Sequence, residues 1–174
     1  LGMLLPTMHQ SSLGSLMVIA GTKVHPLWQA QMLPAFYLMQ AVVCGFASLI
    51  LILIIACLAW KRPLDIVILS TLARFMAWSS IVFVVFRYAD IVIRGRVGMA
   101  FTPDWYAVLF LGENLFVLVP ALLLLNERRR HIPRVLFLTA AATGIGGLVY
   151  RFTPTTLAFR YGRSSIYFPS IGEL

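Results

Sequence analysis

Polar side chains lie inside an apolar stretch near the start of the chain. The segment "MHQSSLGSL" (8–16) places His9, Gln10, Ser11 and Ser12 among leucine, methionine and valine. A histidine exchanges protons near neutral pH, and glutamine and serine supply hydrogen-bond donors and acceptors. Serines in apolar helices also bond back to their own backbone. The segment therefore predicts either hydrogen bonding and proton exchange with a small molecule or structural packing.

A carboxyl group lies near the middle of a second apolar run. Glu113, followed by Asn114, interrupts "WYAVLFLGENLFVLVPALLLL". A charged side chain in the centre of a membrane helix costs roughly 2.5–3.5 kcal/mol on insertion scales. We therefore expect Glu113 to be protonated, to pair with an arginine on a neighbouring helix, or to belong to a proton path.

A third apolar run contains three more charges. Arg87 and Asp90, in "FRYADI", are spaced to share one helix face. They form either an intrahelical pair near the membrane edge or the wall of a polar cavity. Arg74 is close enough to the start of its run to extend toward Lys61, and pairing with another helix is the alternative.

Three further candidates lie in the polar segment "GTKVHPLWQAQ". It contains Lys23, His25 and the interfacial Trp28, and His25 could bring a second imidazole near the membrane face approached by His9. A transmembrane b-type haem usually needs two axial histidines that face each other. Because His131 falls in an opposite loop, we predict no haem on this chain. Metal-ligand and nucleophile spacings are also missing from the sequence, so no catalytic residue or metal ligand is assigned.

The composition indicates the elements that position these groups. Hydrophobic residues make up 60% of the 174 residues and charged residues 11%, against about 25% charged in soluble domains. The net charge of +8 comes mostly from basic residues between apolar runs, which favours membrane loops over nucleic-acid binding. We predict an all-α integral membrane protein, a single helical bundle of four full spans and one partial span, and the later half of a longer bundle. The predicted spans are about 1–20 (partial), 32–60, 66–93, 105–125 and 135–150, with an interfacial tail at 151–174.

Alternation of the spans predicts the sidedness of the loops. Loops 61–65 and 126–134 share one side, and loops 21–31 and 94–104 share the other with the tail. Basic residues are about equally numerous on both sides but denser in the first pair, which favours the cytoplasm for that pair and the periplasm for the other. Three glycines of the last span, Gly144, Gly146 and Gly147, permit close helix contact. Cys44 and Cys57 lie too far apart in one span to form a disulfide.

The chain resembles a known family in several stretches. "LPTMHQSSLGSLMVIAGTKVHPLWQ" is similar to the NrfD/polysulfide-reductase family of membrane subunits, and most similar to the HybB-type membrane subunits of periplasmic nickel–iron (NiFe) hydrogenases. "RYADIVIRG", "AFTPDWYAVLFLGE" and "YFPSIGE" follow in the same order. The resemblance covers essentially the whole chain and would correspond to the later half of such a protein.

The resemblance implies a haem-free subunit of a respiratory oxidoreductase in a bacterial or archaeal cytoplasmic membrane. It would bind menaquinone or ubiquinone near the periplasmic face and take electrons from an iron–sulfur subunit that serves catalytic subunits, those of a hydrogenase in the first instance. Some members couple this transfer to proton movement. The quinone pocket of the family belongs largely to the first bundle, so His9, Ser11 and Lys23 are expected to flank it. The candidates for the quinone site or proton path are His9, Gln10, Ser11, Ser12, Lys23, His25, Trp28, Arg87, Asp90 and Glu113.

Two other functions are compatible with the residues. A transporter or proton channel would use Glu113, Arg87 and Asp90, although the chain lacks the inverted repeat of many transporters. A passive anchor for soluble subunits would account for the apolar spans but for neither Glu113 nor His9.

Overall fold

The computed structural model describes residues 4–158, apart from the side chains of residues 4–7 and Thr22. This part of the chain consists of helices and short connections. The helices are α1 (Leu4–Ala20), α2 (Leu33–Ala59), α3 (Ile66–Ile93), α4 (Val97–Ala100), α5 (Trp105–Leu125), α6 (Glu127–Arg130) and α7 (Pro133–Phe152). A single turn of tighter helix (Gly21–Lys23) follows α1, and a π-helical turn (Thr153–Leu157) extends α7.

Within residues 4–158, four helices are long and apolar enough to cross a membrane. They are Leu33–Ala59, Ile66–Ile93, Trp105–Leu125 and Pro133–Leu157. Hydrocarbon offers no partner to a backbone N–H or C=O group, so an apolar segment in a bilayer satisfies these groups by forming a helix. The 17 residues of α1 form the partial span. The predicted fold class, an all-α bundle of four full spans and one partial span, is confirmed.

The boundaries of two spans have local causes. Lys61, with φ of 49°, turns the chain sharply after α2. The Asp65 side chain then caps α3 by accepting hydrogen bonds from the backbone N–H groups of Val67 and Ile68. At the other boundary, the predicted end of the last span at residue 150 is too early. The helix continues to Phe152 and its π-helical turn closes with a 2.7 Å bond from Ala158 N–H to Thr153 O. The predicted tail beyond residue 158 lies outside the described residues.

The four long helices pack as a ring. α2 contacts α3 and α7, and α5 contacts the same two helices from the other side, while α1 packs on the outside of α2. Small residues allow these approaches. A Cβ atom at Gly14 of α1 would lie 2.5 Å from Pro34 Cα of α2, and one at Gly146 of α7 would lie 2.8 Å from Phe116 Cβ of α5. A Cβ at Gly144 would meet nothing within 4 Å, so that glycine makes no close contact among the described residues.

The interior of the ring differs between its two ends. At the end bearing loops 61–65 and 126–134, alanine, leucine, isoleucine and methionine form an apolar core. At the other end, aromatic and aliphatic residues surround the buried charged residues of the described chain, Arg87 and Glu113. The segment between α1 and α2 folds over this second end and contributes Val24, Leu27 and Trp28 to its core. The buried charged side chains of the described residues therefore lie at that end.

Candidate functional site

A buried ion pair joins α3 to α5. Arg87 Nη2 lies 2.7 Å from Glu113 Oε2, and the two side chains are 5% and 1% exposed. At 1.5 Å per residue, Arg87 lies about 9 Å from the end of α3 and Glu113 about 12 Å from the start of α5. Among the three states predicted for Glu113, the structure therefore shows pairing with an arginine on a neighbouring helix.

Two further side chains complete the polar contacts of this pair. Trp28 donates from its indole Nε1 to Glu113 Oε2 at 3.2 Å, and Arg87 Nη1 donates to Asn114 Oδ1 at 3.4 Å. The Asn114 amide donates in turn to Phe110 O at 2.6 Å, which fixes its orientation. Glu113 Oε1 is buried and has no hydrogen-bond partner within residues 4–158. One carboxylate oxygen thus accepts from two donors, while the other has none among the described residues.

Aromatic rings enclose the guanidinium group. Arg87 Cζ lies 4.4 Å from the ring centroid of Phe110 and 4.6 Å from that of Tyr150. Such cation–π contacts stabilise a charge that has lost its water. Tyr150 also contacts Tyr37 of α2, with ring centroids 5.5 Å apart. Trp28, Arg87, Phe110, Glu113, Asn114 and Tyr150 together form what we name the Arg87–Glu113 cluster.

His25 lies beside this cluster in the segment that covers it. Its ring stacks on Tyr106 with a centroid distance of 4.3 Å and meets Trp28 edge-on at 5.8 Å. Its backbone N–H donates to Ala158 O at 2.9 Å, and its Nδ1 accepts from Leu27 N–H at 3.4 Å. These contacts hold the covering segment in place and bring His25, one of the predicted candidates, next to the indole that bonds Glu113.

Asp90 does not pair with Arg87. Its carboxylate forms an ion pair with Arg94, the residue that directly follows α3. Arg94 also donates to the carbonyl oxygens of Pro26 and Gln29, and Arg96 donates to Pro26 O at 2.8 Å. The predicted alternative of an intrahelical Arg87–Asp90 pair is therefore wrong, because Arg87 points into the bundle while Asp90 lies at its rim. Arg94 and Arg96 thus hold the segment that carries Trp28 in place through hydrogen bonds to its backbone, and we call this segment the clamped loop.

The structure does not bring the polar residues of α1 to the cluster. Ser11 donates to Met8 O, Ser12 to His9 O and Ser15 to Ser11 O, at 2.8–3.0 Å. These bonds stay within α1, as expected for the alternative in which the serines bond to the backbone of their own helix. His9 is exposed on α1, Lys23 is exposed after it, and Gln10 is half-buried.

Three residues of the cluster, and Arg94 outside it, had no role in the sequence prediction. Asn114 was visible only as a neighbour of Glu113, and Phe110, Tyr150 and Arg94 were not singled out. Arg94 carried a readable signal, because it follows Asp90 at the spacing of a helical ion pair. Phe110 precedes Asn114 by the same spacing, which also indicates a contact. Tyr150 carried no signal, since an aromatic residue near the end of a span is commonplace.

The fold and this cluster define a class of protein: a multi-pass helical membrane protein with a buried ion pair beneath a clamped loop at one end. Comparison with known sequences identifies the family. Residues 12–154 match the family described as "Polysulphide reductase, NrfD", and the chain belongs to that family. The predicted resemblance is confirmed.

Two curated relatives extend this result. The "Probable Ni/Fe-hydrogenase 2 b-type cytochrome subunit" of Escherichia coli is 40% identical over 177 residues, covering 100% of this chain and 45% of the relative. A protein of Nitratidesulfovibrio vulgaris is 30% identical over 189 residues, covering 99% of this chain and 47% of the relative. The chain thus spans about half the length of the curated relatives it matches. No solved structure matches it.

The name of the first relative corrects the cofactor prediction. A b-type cytochrome carries haem, so that name contradicts the prediction of no haem on this chain. The name does not mention the menaquinone or ubiquinone that the same prediction included. The histidines of the described residues nevertheless do not fit a bis-histidine haem. His9 is exposed on α1, His25 stacks on Tyr106, and His131 lies at the opposite end of the bundle, where it contacts Glu127 O. No electron-transfer step is therefore assigned to a haem between residues 4 and 158.

Proposed function

We propose that this chain belongs to the membrane subunit of a respiratory oxidoreductase that passes electrons between an iron–sulfur partner and membrane quinone. The observation that carries the proposal is the Arg87–Glu113 pair, buried beneath a clamped loop and leaving Glu113 Oε1 without a partner among the described residues. Family membership supports the class of complex, and the hydrogenase name of one relative supports NiFe-hydrogenase subunits as partners.

The chemistry of quinone explains why a carboxyl group belongs there. Reduction of a quinone to quinol adds two electrons and two protons, and the protons need a donor at membrane depth. Glu113 Oε2 is held by Arg87 and Trp28, whereas Oε1 is the oxygen at which a proton can be taken up or released. We assign Glu113 the exchange of protons with the quinone site, and Arg87 the positioning of the carboxylate.

We also propose a side for the electron donor. The cluster lies about 9–12 Å below the helix ends that carry loops 21–31 and 94–104. A redox partner that docks on these loops approaches the membrane nearest to the cluster. We therefore place the iron–sulfur partner on this side, which is periplasmic in our assignment, and place the complex in the cytoplasmic membrane.

The test compares quinone reduction with reduction of an artificial dye in the purified full-length complex. Glu113→Gln keeps the size of the side chain but removes its proton exchange. A positioned acid or base typically contributes 10²–10⁴-fold, so we expect electron transfer to quinone to fall by at least about 100-fold. The artificial dye takes electrons before they reach this chain, so the rate of dye reduction should stay within about twofold of the wild-type rate. Glu127→Gln, an exposed acid at the opposite end, is the matched control.

A second, milder variant controls for the effect of disrupted subunit assembly. Trp28→Phe removes the indole hydrogen bond to Glu113 but keeps an aromatic ring at this position. It should lower quinone reduction by a smaller factor, with subunit composition unchanged. Unchanged quinone reduction in an assembled Glu113→Gln complex would overturn the assignment of Glu113. A passive anchor would be the better description if the assembled complex also reduced quinone at the wild-type rate after removal of this chain's polar cluster.

A further inference from the structure

A groove lies at the end of the bundle opposite the Arg87–Glu113 cluster. It is formed by one face of α3 and by α6 with the residue that follows it, and its volume is about 510 Å³. Arg74 and Thr71 of α3 line one wall, and Arg130 and His131 line the other. The proposed function does not use any of these residues.

The groove carries positive charge without a matching anion. The ion pairs of residues 4–158 are Arg87–Glu113 and Arg94–Asp90, so neither Arg74 nor Arg130 is neutralised by a carboxylate within 4 Å. Arg130 Nε is buried and has no hydrogen-bond partner in the same part of the chain. Glu127 is the acidic residue of the lining, against two guanidinium groups. An anion with several acceptor oxygens would satisfy the donors that the protein leaves open.

The groove lies at the depth of the lipid headgroups. The 28 residues of α3 are about 42 Å long at 1.5 Å per residue, which exceeds a hydrocarbon core of about 30 Å. Arg74 lies about 12 Å from the start of α3. If the excess length is shared between both ends, its Cα is about 6 Å below the hydrocarbon boundary, within reach of a side chain that extends toward the surface.

The deeper part of the groove is aromatic. Phe75 and Trp78 follow Arg74 on the same face of α3 and are 57% and 55% exposed. An occupant must therefore be anionic near Arg74 and Arg130 and apolar beside Phe75 and Trp78. An inorganic anion meets only the first of these requirements, whereas a phospholipid meets both.

We propose that this groove binds one anionic phospholipid of the leaflet that faces loops 61–65 and 126–134. The guanidinium groups of Arg74 and Arg130 hold the phosphodiester, since the planar fork of an arginine matches phosphate oxygens. The acyl chains lie along Phe75 and Trp78. Basic pockets between membrane helices are a recurrent means of headgroup recognition.

The test uses the purified full-length protein in detergent, supplemented with phosphatidylglycerol or phosphatidylcholine and analysed by native mass spectrometry. We expect one phosphatidylglycerol to be retained in preference to phosphatidylcholine. Each basic residue near a charged lipid surface contributes about 1 kcal/mol, which corresponds to about fivefold in affinity. Arg74→Gln and Arg130→Gln should each weaken retention about fivefold, and the double variant about 25-fold. Arg129→Gln, an exposed neighbour in α6 outside the lining, should retain the lipid like the wild type.

Further measurements separate the sources of the anion. Inorganic phosphate at 10 mM should leave the bound phosphatidylglycerol in place; displacement by phosphate would mean that the site recognises the anion alone and would overturn the lipid assignment. Equal retention in the wild type and all variants would also overturn it, as expected if another part of the full-length protein closes the groove. The preference of the wild-type protein for phosphatidylglycerol tests the proposal even where a variant fails to fold. If the wild-type protein shows no such preference, the proposal is wrong.

Discussion

At the scale of single residues, the Arg87–Glu113 pair has a large desolvation cost, which is offset by the attraction between the charges and by several further contacts. Removing two charges from water costs several kcal/mol per ion, and the mutual attraction offsets this only with good geometry and further hydrogen bonds. Here the 2.7 Å contact is supplemented by Trp28, Asn114 and two aromatic faces. A pair of this kind is tolerated as a unit, so loss of either partner leaves an isolated buried charge.

This arrangement predicts strong coupling between the two side chains. Arg87→Gln and Glu113→Gln should each lower the free energy of unfolding by about 3–5 kcal/mol. The double variant should lose less than the sum by about 1–3 kcal/mol, because it removes both charges. Unfolding of the purified protein in mixed detergent micelles measures these values. The exposed pair Glu127→Gln and Arg129→Gln should be additive within about 0.5 kcal/mol, and additivity at Arg87 and Glu113 would contradict the ion pair.

The sequence indicated that Glu113 needed a partner but not which one. Arg87 could be interpreted as the partner of Asp90 or as part of the wall of a polar cavity, because the two residues share one helix face in either case. The choice depends on how α3 and α5 are rotated about their axes. Helices in lipid are apolar all round, so the apolar pattern that marks the buried face of a soluble helix is weak here. The contacts of Trp28 depended on the path of a loop, which residue patterns do not define.

At the scale of helices, glycine permits a close backbone approach between α1 and α2. α1 lies against α2 where Gly14 meets the backbone of Pro34, and a Cβ atom there would come within 2.5 Å of Pro34 Cα. Backbone atoms cannot rotate away as the end of a side chain can. A Cβ at Gly147 would instead meet the flexible ends of Cys44 and Gln40. The α1–α2 contact is therefore less adaptable than the α2–α7 contact.

Alanine substitution should separate these sites. Gly14→Ala should destabilise the protein by about 1–3 kcal/mol, the usual cost of overpacking. Gly147→Ala should cost less. Gly45→Ala is the control, because its Cβ would meet nothing within 4 Å. Removing a glycine from a helix interior should raise the free energy of unfolding by about 0.5–1 kcal/mol. The same detergent unfolding assay provides the ranking, and equal stability of the Gly14 and Gly45 variants would contradict the close approach.

Helix positions were far more predictable than helix contacts. Runs of apolar residues long enough to cross a bilayer located α2, α3, α5 and α7, because length and composition decide whether a segment can span. The end of α7 was placed too early, since Arg151 resembles the start of a polar tail although the helix continues past it. Among the predicted close-contact glycines, Gly146 and Gly147 pack tightly and Gly144 does not, a difference set by helix rotation rather than by composition.

At the scale of the whole molecule, the bundle has two unlike ends. One carries loops 61–65 and 126–134 above an apolar core and the basic groove. The other carries loops 21–31 and 94–104 above the Arg87–Glu113 cluster. The two ends of the bundle meet different sides of the membrane, so the orientation of the bundle determines which end faces the proposed redox partner.

Cysteine accessibility tests this orientation. In the full-length protein in intact cells, Lys23→Cys and Met99→Cys should react with a membrane-impermeant maleimide, because both positions are exposed on the proposed periplasmic side. Lys61→Cys and Arg129→Cys should react only after the membrane is opened. The parent protein, with Cys44 and Cys57 half-buried in α2, gives the background. The reverse pattern would invert the topology and move the proposed docking face to the cytoplasm.

The ion pair also has a consequence for biogenesis. Arg87 and Glu113 are 26 positions apart, and chains are synthesised at about 5–20 residues per second. The ribosome therefore makes the arginine about 1–5 s before its acidic partner. During that interval the insertion machinery must accommodate α3 with an unneutralised charge. Delivery of α3 into the lipid should thus depend on the arrival of α5, and a ribosome stalled between the two helices should leave α3 beside the translocon.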